Sequence, residues 1–197
     1  MTTVSVKFLG CGDNFGSGGR FQTCIYVQSE AAKFFIDCGA SSLIAMKQFG
    51  VSLLDIETIL MTHLHGDHFA CIPFFILDSQ LISRRTSPLI IAGLPCLEER
   101  IYRAMEVMFP ESSKVKQKFE IIYLEIPERM PTTIGALLVT AEQVVHSSGA
   151  PSMESKFKYF ASSFPILKAK VVISEMTGFD SVKFAADSVV HHRFLLN

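Results

Sequence analysis

The stretch His63-Leu64-His65-Gly66-Asp67-His68 follows directly on the apolar run Thr58-Ile59-Leu60-Met61. This junction narrows the folds open to the chain more than any other feature. Three imidazoles and a carboxylate so close together make a poor core and an expensive surface, because each polar group that loses water needs a partner. They make a good metal site. Neutral imidazole and carboxylate are ligands that zinc and similar divalent ions accept, at about 2.0–2.2 Å. His63 and His65 lie two residues apart, so at the end of an extended strand their rings project from one face. Gly66 permits a sharp backbone turn, after which Asp67 and His68 swing back towards a neighbouring position, as a second ion requires. Half of the chain's six histidines fall within this stretch, which favours a metal centre over a solvated polar loop.

The surrounding pattern sets that strand in an α/β arrangement. Residues 4–9 are apolar and β-branched and read as a strand ending in the glycine-rich loop 10–19. Residues 21–27 and 33–36 read as two more strands, joined by a polar turn at Ser29-Glu30. Asp37-Cys38-Gly39 follows the third strand, where a carboxylate can stand behind a metal site. Residues 41–49 form a short helix closed by Gly50, the residue type best suited to a left-handed cap. Residues 57–62 are the buried strand that delivers the histidines at its carboxyl end, where α/β sheets place their ligands. Residues 69–83 read as one apolar helix with Pro73 in its first turns, where proline is tolerated best. A strand at 88–92 leads to an amphipathic helix at 96–109, with Leu97, Ile101, Met105 and Met108 at helical spacing. Further strands are expected at 119–126, 137–140 and 144–146. No repeat, low-complexity tract or linker divides the sequence, so residues 1–197 are expected to form a single domain with a sizeable core.

Composition bounds the function. The net charge is −1 and no block of like charges occurs, so no broad basic surface announces nucleic acid, DNA or RNA. The five cysteines (11, 24, 38, 71, 96) are odd in number and contain no C-x-x-C pair. That pattern suggests reduced thiols in a cytoplasm, not a disulfide framework or a thiolate zinc site. No signal-peptide pattern opens the chain, and no window reaches the ~18 apolar residues of a membrane helix. A soluble, cytoplasmic protein without membrane contact is the expectation. The loop glycines 10, 12, 16, 18 and 19 fit neither dinucleotide spacing nor a P-loop, so a structural turn is preferred. Arg84 and Arg85 read as a solvated helix end, with contact to an anionic substrate as the alternative.

The string His63-Leu-His65-Gly-Asp67-His68 resembles the H-x-H-x-D-H signature of the metallo-β-lactamase superfamily. Phe8-Leu9-Gly10-Cys11-Gly12, Phe15-Gly-Ser-Gly-Gly-Arg20 and Cys24-Ile-Tyr-Val27 are similar to the opening strand and loop of its ribonuclease Z-like branch. That branch also contains phosphodiesterases acting on small cyclic or nucleotide-like esters. The segment 75–97 and Val145-His146-Ser-Ser-Gly-Ala-Pro151 are similar to it too. The resemblance implies an α/β fold, an αββα sandwich with a metal centre along one edge of its sheets. It implies that His63, His65 and His146 hold one ion, and that Asp67 and His68 hold a second. Asp67 is also placed to accept a proton or orient the attacking hydroxide. Zinc is the expected ion, one or two per chain, with manganese or iron served by the same ligands. Arg20 is implied to border the site. The oligomeric state is left open, although the proteins that the chain resembles often pair as homodimers.

The resemblance weakens after residue 151. Relatives carry a bridging aspartate in a Gly-Asp-Thr-like segment and a final histidine after a late strand, and neither is found here. The C-terminal third is shorter, so the sandwich is expected to be incomplete on that side. The strand at 171–176 is similar to the one that presents the last histidine, and Glu175 stands about where it belongs. Asp180, Asp187, His191 and His192 are the other candidates for replacement ligands. The expected activity is metal-dependent hydrolysis of phosphodiester bonds, in a small or RNA-type substrate, by a metal-activated water. The alternatives are thioester or lactone hydrolysis on the same fold, or a metal-binding protein with impaired catalysis.

Overall fold

Six strands pair in chain order to build the sheet that carries the histidine junction. The computed structural model describes residues 4–145, 151–159, 169–176 and 179–186, with side chains described as far as residue 142. Strands β1 (Ser5–Gly10), β2 (Cys24–Gln28) and β3 (Lys33–Ile36) form an antiparallel meander. From β3 the sheet continues in parallel through β4 (Thr58–Leu60), β5 (Leu89–Gly93) and β6 (Ile121–Glu125). Parallel neighbours need crossovers. These are α1 (Ser42–Gln48), the pair α2 (Gly66–Phe69) and α3 (Ile72–Leu81), and α4 (Leu97–Met108). Because the order β3-β4-β5-β6 advances in one direction, right-handed crossovers place every helix on the same face.

The register shows what each face buries. Phe35, Ile59 and Ile91 stand in one row across the sheet, and Ile36, Leu60 and Ala92 in the next. With the two-residue period of a strand, the rows face opposite sides. The first row packs against Ala45 and Met46 of α1, Ile72, Phe75 and Ile76 of α3, and Leu97, Ile101 and Met105 of α4. The second packs against Ile134, Leu137, Val139 and Ala141. Those residues belong to a second sheet, ordered β7 (Thr132–Ile134), β8 (Leu137–Val145), β9 (Pro151–Tyr159), β10 (Ala169–Met176) and β11 (Phe179–Ala186). The result is helices on sheet on sheet. Among the described residues no α-helix follows α4, in line with a sandwich incomplete on its C-terminal side.

Several elements differ from the sequence expectation. The helix expected over 69–83 is confined to 72–81 as α3, and a separate short helix, α2, precedes it at 66–69, the two parted at Ala70-Cys71. Pro73 has no N–H to give the Phe69 carbonyl. The His68 carbonyl is already taken by Cys38 N at 2.6 Å, and Cys71 N turns to the Cys38 carbonyl at 3.1 Å. The strands expected at 137–140 and 144–146 are one, β8, because Ala141, Glu142 and Gln143 continue the ladder to Ser155, Glu154 and Met153. Strands β7, β9 and β11 were not expected. Helix α1 ends as anticipated: Gly50 adopts φ 65°, and Val51 N reaches back to the Met46 carbonyl at 2.9 Å.

Arg85 is a correction. It is 1% exposed, and one guanidinium nitrogen donates to the Leu53 and Ile56 carbonyls at 2.6 and 2.8 Å. It closes the loop before β4 from within, and is neither a solvated residue nor an anion contact.

Candidate metal centre

The site forms where β3 and β4, adjacent and parallel, both end. Asp37 follows β3 and Thr62-His63 follows β4. A backbone bond from Asp37 N to the Leu60 carbonyl ties the two ends together, and Met61 N donates to the Ala92 carbonyl of β5. Asp37 is wholly buried and sits at φ 59°, a left-handed conformation that aspartate and asparagine tolerate better than most residues. There its carboxylate gathers three donors. Oδ1 accepts from Thr62 N at 2.8 Å, and Oδ2 accepts from Thr62 Oγ1 at 2.6 Å and His68 Nδ1 at 2.7 Å.

This network fixes the tautomers. With Nδ1–H committed to Asp37, His68 turns Nε2 towards Asp67, whose Oδ2 lies 3.5 Å away. His63 Nδ1 lies 3.3 Å from Thr62 Oγ1. That hydroxyl spends its proton on Asp37, so the consistent assignment has His63 Nδ1–H donating to it and the ring's lone pair on Nε2. One ligand atom from each of His63, Asp67 and His68 lies within 4.8 Å of the other two. The His63 and His68 rings stand 3.7 Å apart, centroid to centroid. His65, less buried, packs its ring edge-on to His63 at 4.9 Å.

Charge follows geometry. Burial disfavours the charge on His68, but the charge and hydrogen bond of Asp37, reinforced by Asp67, raise its pKa to about 10. Burial likewise works against the Asp67 carboxylate, and its hydrogen bond to His68 and the nearby positive charge outweigh this and hold its pKa below the ordinary value. Asp67 has a second neighbour in Asn14. With its amide nitrogen turned inwards, Asn14 donates to both carboxylate oxygens, 2.8 Å from Oδ2. Gly39 sets the spacing: a Cβ there would lie 2.0 Å from the Asp67 carbonyl oxygen, so only glycine lets the loop after β3 approach α2.

The donor set fits a divalent ion. Two imidazoles and a carboxylate, with a carboxylate behind one imidazole fixing its tautomer, form the arrangement that metal-binding histidines need. Of the residues expected at the site, the fold brings His63, Asp67 and His68 together, with His65 alongside and Asp37 behind. His146, Asp187, His191 and His192 lie outside the described residues. Glu175 lies on β10, in register opposite Asp180 of β11. Arg20 is exposed and donates from Nε to the Ser17 carbonyl of its own loop. Sequence reasoning missed Thr62 and Asn14. Thr62 carried a signal, being the last residue before the histidines, but nothing local pointed to Asn14.

Two stacked sheets with helices outside one of them, and a histidine-rich turn at a strand end, make up the metallo-β-lactamase fold. The solved structure of human tRNase Z, short form, is 24% identical with a TM-score of 0.63, over 81% of this chain and 65% of that one. The metallo-β-lactamase fold protein YhfI from Bacillus subtilis is 19% identical with a TM-score of 0.61, over 78% and 57%. Among curated proteins, ribonuclease Z of Lachnoclostridium phytofermentans is 30% identical over 145 residues, 73% of this chain and 45% of that protein. The chain thus spans less than half of that relative's length, on the ribonuclease Z-like side of the superfamily. Residues 4–194 match the family model described as anti-Pycsar protein Apyc1, and the chain belongs to that family.

Proposed function

We propose that this protein is a metal-dependent hydrolase of phosphodiester bonds, built on residues 1–197 as one domain and acting on a small, nucleotide-like or RNA-type ester. The observation that carries the reading is the chain of contacts Thr62–Asp37–His68–Asp67 beside His63. A bare polar turn has no use for a buried carboxylate that sets a histidine tautomer, whereas a metal ligand does.

In this reading His63, His65 and His146 hold one ion, and Asp67 and His68 a second. Zinc suits the donor set, and manganese or iron is compatible with it. When bound, such an ion lowers the pKa of water and offsets phosphate charge. The chain's own residues supply the rest. Asp37 holds the His68 ring so that Nε2, not Nδ1, faces the site. Thr62 restrains His63 and Asp37 together. Asp67, held below the ordinary carboxylate pKa, stays ionised at neutral pH and is placed to orient the attacking water or accept its proton. The ribonuclease Z relative supports the phosphodiester class over thioesters or lactones. The absence of a Gly-Asp-Thr-like segment from the sequence after residue 151 supports a second reading, in which metal binds but turnover is impaired.

The test is a panel of chromogenic phosphodiester, thioester and lactone substrates with zinc- and manganese-loaded protein, beside His65→Ala. Phosphodiester turnover lost in His65→Ala is the expected result. Turnover confined to another ester class, or none sensitive to His65→Ala, refutes the reading.

A further inference from the structure

Three of the five cysteines take no part in the centre and yet gather beside it. Cys24, Cys38 and Cys71 are free, buried thiols of one apolar cluster, whereas Cys96 is exposed and Cys11 half-buried. Cys38 and Cys71 sit on the two segments that hold the centre together. Cys38 follows Asp37 directly, and Cys71 follows His68 by three residues, where α2 and α3 part. Two backbone bonds join these segments. Cys38 N donates to the His68 carbonyl at 2.6 Å, and Cys71 N to the Cys38 carbonyl at 3.1 Å. Residues bonded through the backbone in sheets have Cα atoms about 5.5 Å apart, within the roughly 4.4–6.8 Å that a disulfide spans. The side chains meet as well. The Cys71 sulfur, hydrogen-bonded to the Cys38 thiol, pushes that thiol up, and the same bond holds Cys71 below the ordinary cysteine value. Two thiols so placed need only an oxidant to become a disulfide.

We propose that Cys38 and Cys71 are a redox pair, which peroxide oxidises to an intramolecular disulfide that clamps the loop after β3 to the α2–α3 break and locks the metal centre in its assembled form. The Cys71 sulfur attacks one peroxide oxygen and the O–O bond breaks. A sulfenic acid forms, and the departing hydroxide takes the proton that Cys71 gave up. The Cys38 sulfur then attacks the sulfenic sulfur, the S–O bond breaks, and the second hydroxide leaves as water with the Cys38 proton. The pair loses two electrons and the peroxide is reduced to two waters. A dithiol reductant reverses the step. Both sulfurs are buried, so peroxide reaches them through local opening of the break, and the reaction is slow. The ring closed between residues 38 and 71 contains His63, His65, Asp67 and His68. It ties covalently the segments that present Asp37 to His68, and so removes conformations in which the centre is open.

The experiment treats the zinc-loaded protein with hydrogen peroxide, for wild type, Cys71→Ser, Cys38→Ala and Cys96→Ser. Peptide mapping by mass spectrometry is expected to show a Cys38–Cys71 link in wild type and Cys96→Ser, removed by dithiothreitol and missing from the other two variants. Oxidised wild type is expected to yield zinc to a chelating dye at least about tenfold more slowly than reduced protein, the low end of what such a cross-link takes from the open state. Cys71→Ser is expected to release it at one rate before and after peroxide. A link from either thiol to Cys24, or oxidation of Cys96 alone, overturns the proposal. So does a Cys38–Cys71 link that leaves zinc release unchanged. Neither readout needs a substrate, so a failure of the hydrolase reading is seen separately, as redox-dependent zinc release without His65→Ala-sensitive turnover.

Discussion

Replacing Asp37 by Asn tests the buried carboxylate that organises the centre. Asparagine adopts the left-handed conformation seen at φ 59° about as readily as aspartate, so the backbone stands. Its carbonyl oxygen still accepts from Thr62 N, while the amide nitrogen replaces Oδ2 and faces two groups that were donating to it. The Thr62 hydroxyl can rotate to accept. His68 must move its proton from Nδ1 to Nε2, the atom that faces Asp67 3.5 Å away, and so presents N–H where a ligand lone pair belongs. Losing such a partner typically costs about 10- to 100-fold in metal affinity.

The metal-free protein gives a second readout of Asp37→Asn. The folded-state pKa of His68 is raised to about 10, above its ordinary 6.5. His68, with Asp37 foremost and Asp67 beside it, therefore contributes stability that is fully present below 6.5 and is lost as pH rises through 10. At about 1.4 kcal/mol per unit, the contribution at pH 7 is on the order of 4 kcal/mol. Urea unfolding of chelator-treated protein should show wild type losing stability between pH 7 and 10, and Asp37→Asn, weaker at pH 7, losing much less. Zinc affinity is read separately by competition with a chelating dye. Equal pH slopes in the two proteins, or zinc affinities within twofold, would refute the role given to Asp37.

Thr62→Val removes the donor to Asp37 Oδ2 at 2.6 Å while keeping shape. A hydrogen bond to a charged group suggests a loss of about 1.5–3 kcal/mol in urea unfolding, with weaker zinc binding alongside. Gly39→Ala places a methyl group 2.0 Å from the Asp67 carbonyl and 2.8 Å from Gln22 Cβ. About 3 kcal/mol of overpacking strain is expected, seen as a lower Tm and reduced metal content by elemental mass spectrometry. Arg85→Met leaves the Leu53 and Ile56 carbonyls, now capped at 2.6 and 2.8 Å, without partners. It should cost about 3 kcal/mol and leave zinc stoichiometry and KM unchanged, since Arg85 supports the loop before β4 and not the site.

The strands and helices of the first 125 residues were legible because their patterns are local. A β-branched run, a glycine cap and a helical stripe such as Leu97-Ile101-Met105 each declare themselves within a few turns of chain. The break between α2 and α3 was not legible, although Pro73 hinted at it, because it depends on Cys38 capturing the His68 carbonyl from another element. The same limit hid β7 and β9, whose ladders are completed by strands elsewhere in the second sheet. Arg85 was misread for a related reason: beside Arg84 at a helix end it looks solvated, and only the returning loop at 53–56 encloses it.

For the site, sequence alone supplied the candidate ligands. Histidine and aspartate at fixed spacing after a buried strand can be recognised without a fold, since the donor atoms and the strand period are properties of the residues themselves. It also placed a carboxylate, Asp37, behind the cluster. What only the tertiary structure decided is how these groups are held. Parallel pairing of β3 with β4 brings Asp37 to Thr62 and His68, 25 and 31 residues away, and the glycine loop brings Asn14 to Asp67. Such contacts have no local signature, because which histidine nitrogen carries the proton depends on a neighbour supplied by the fold.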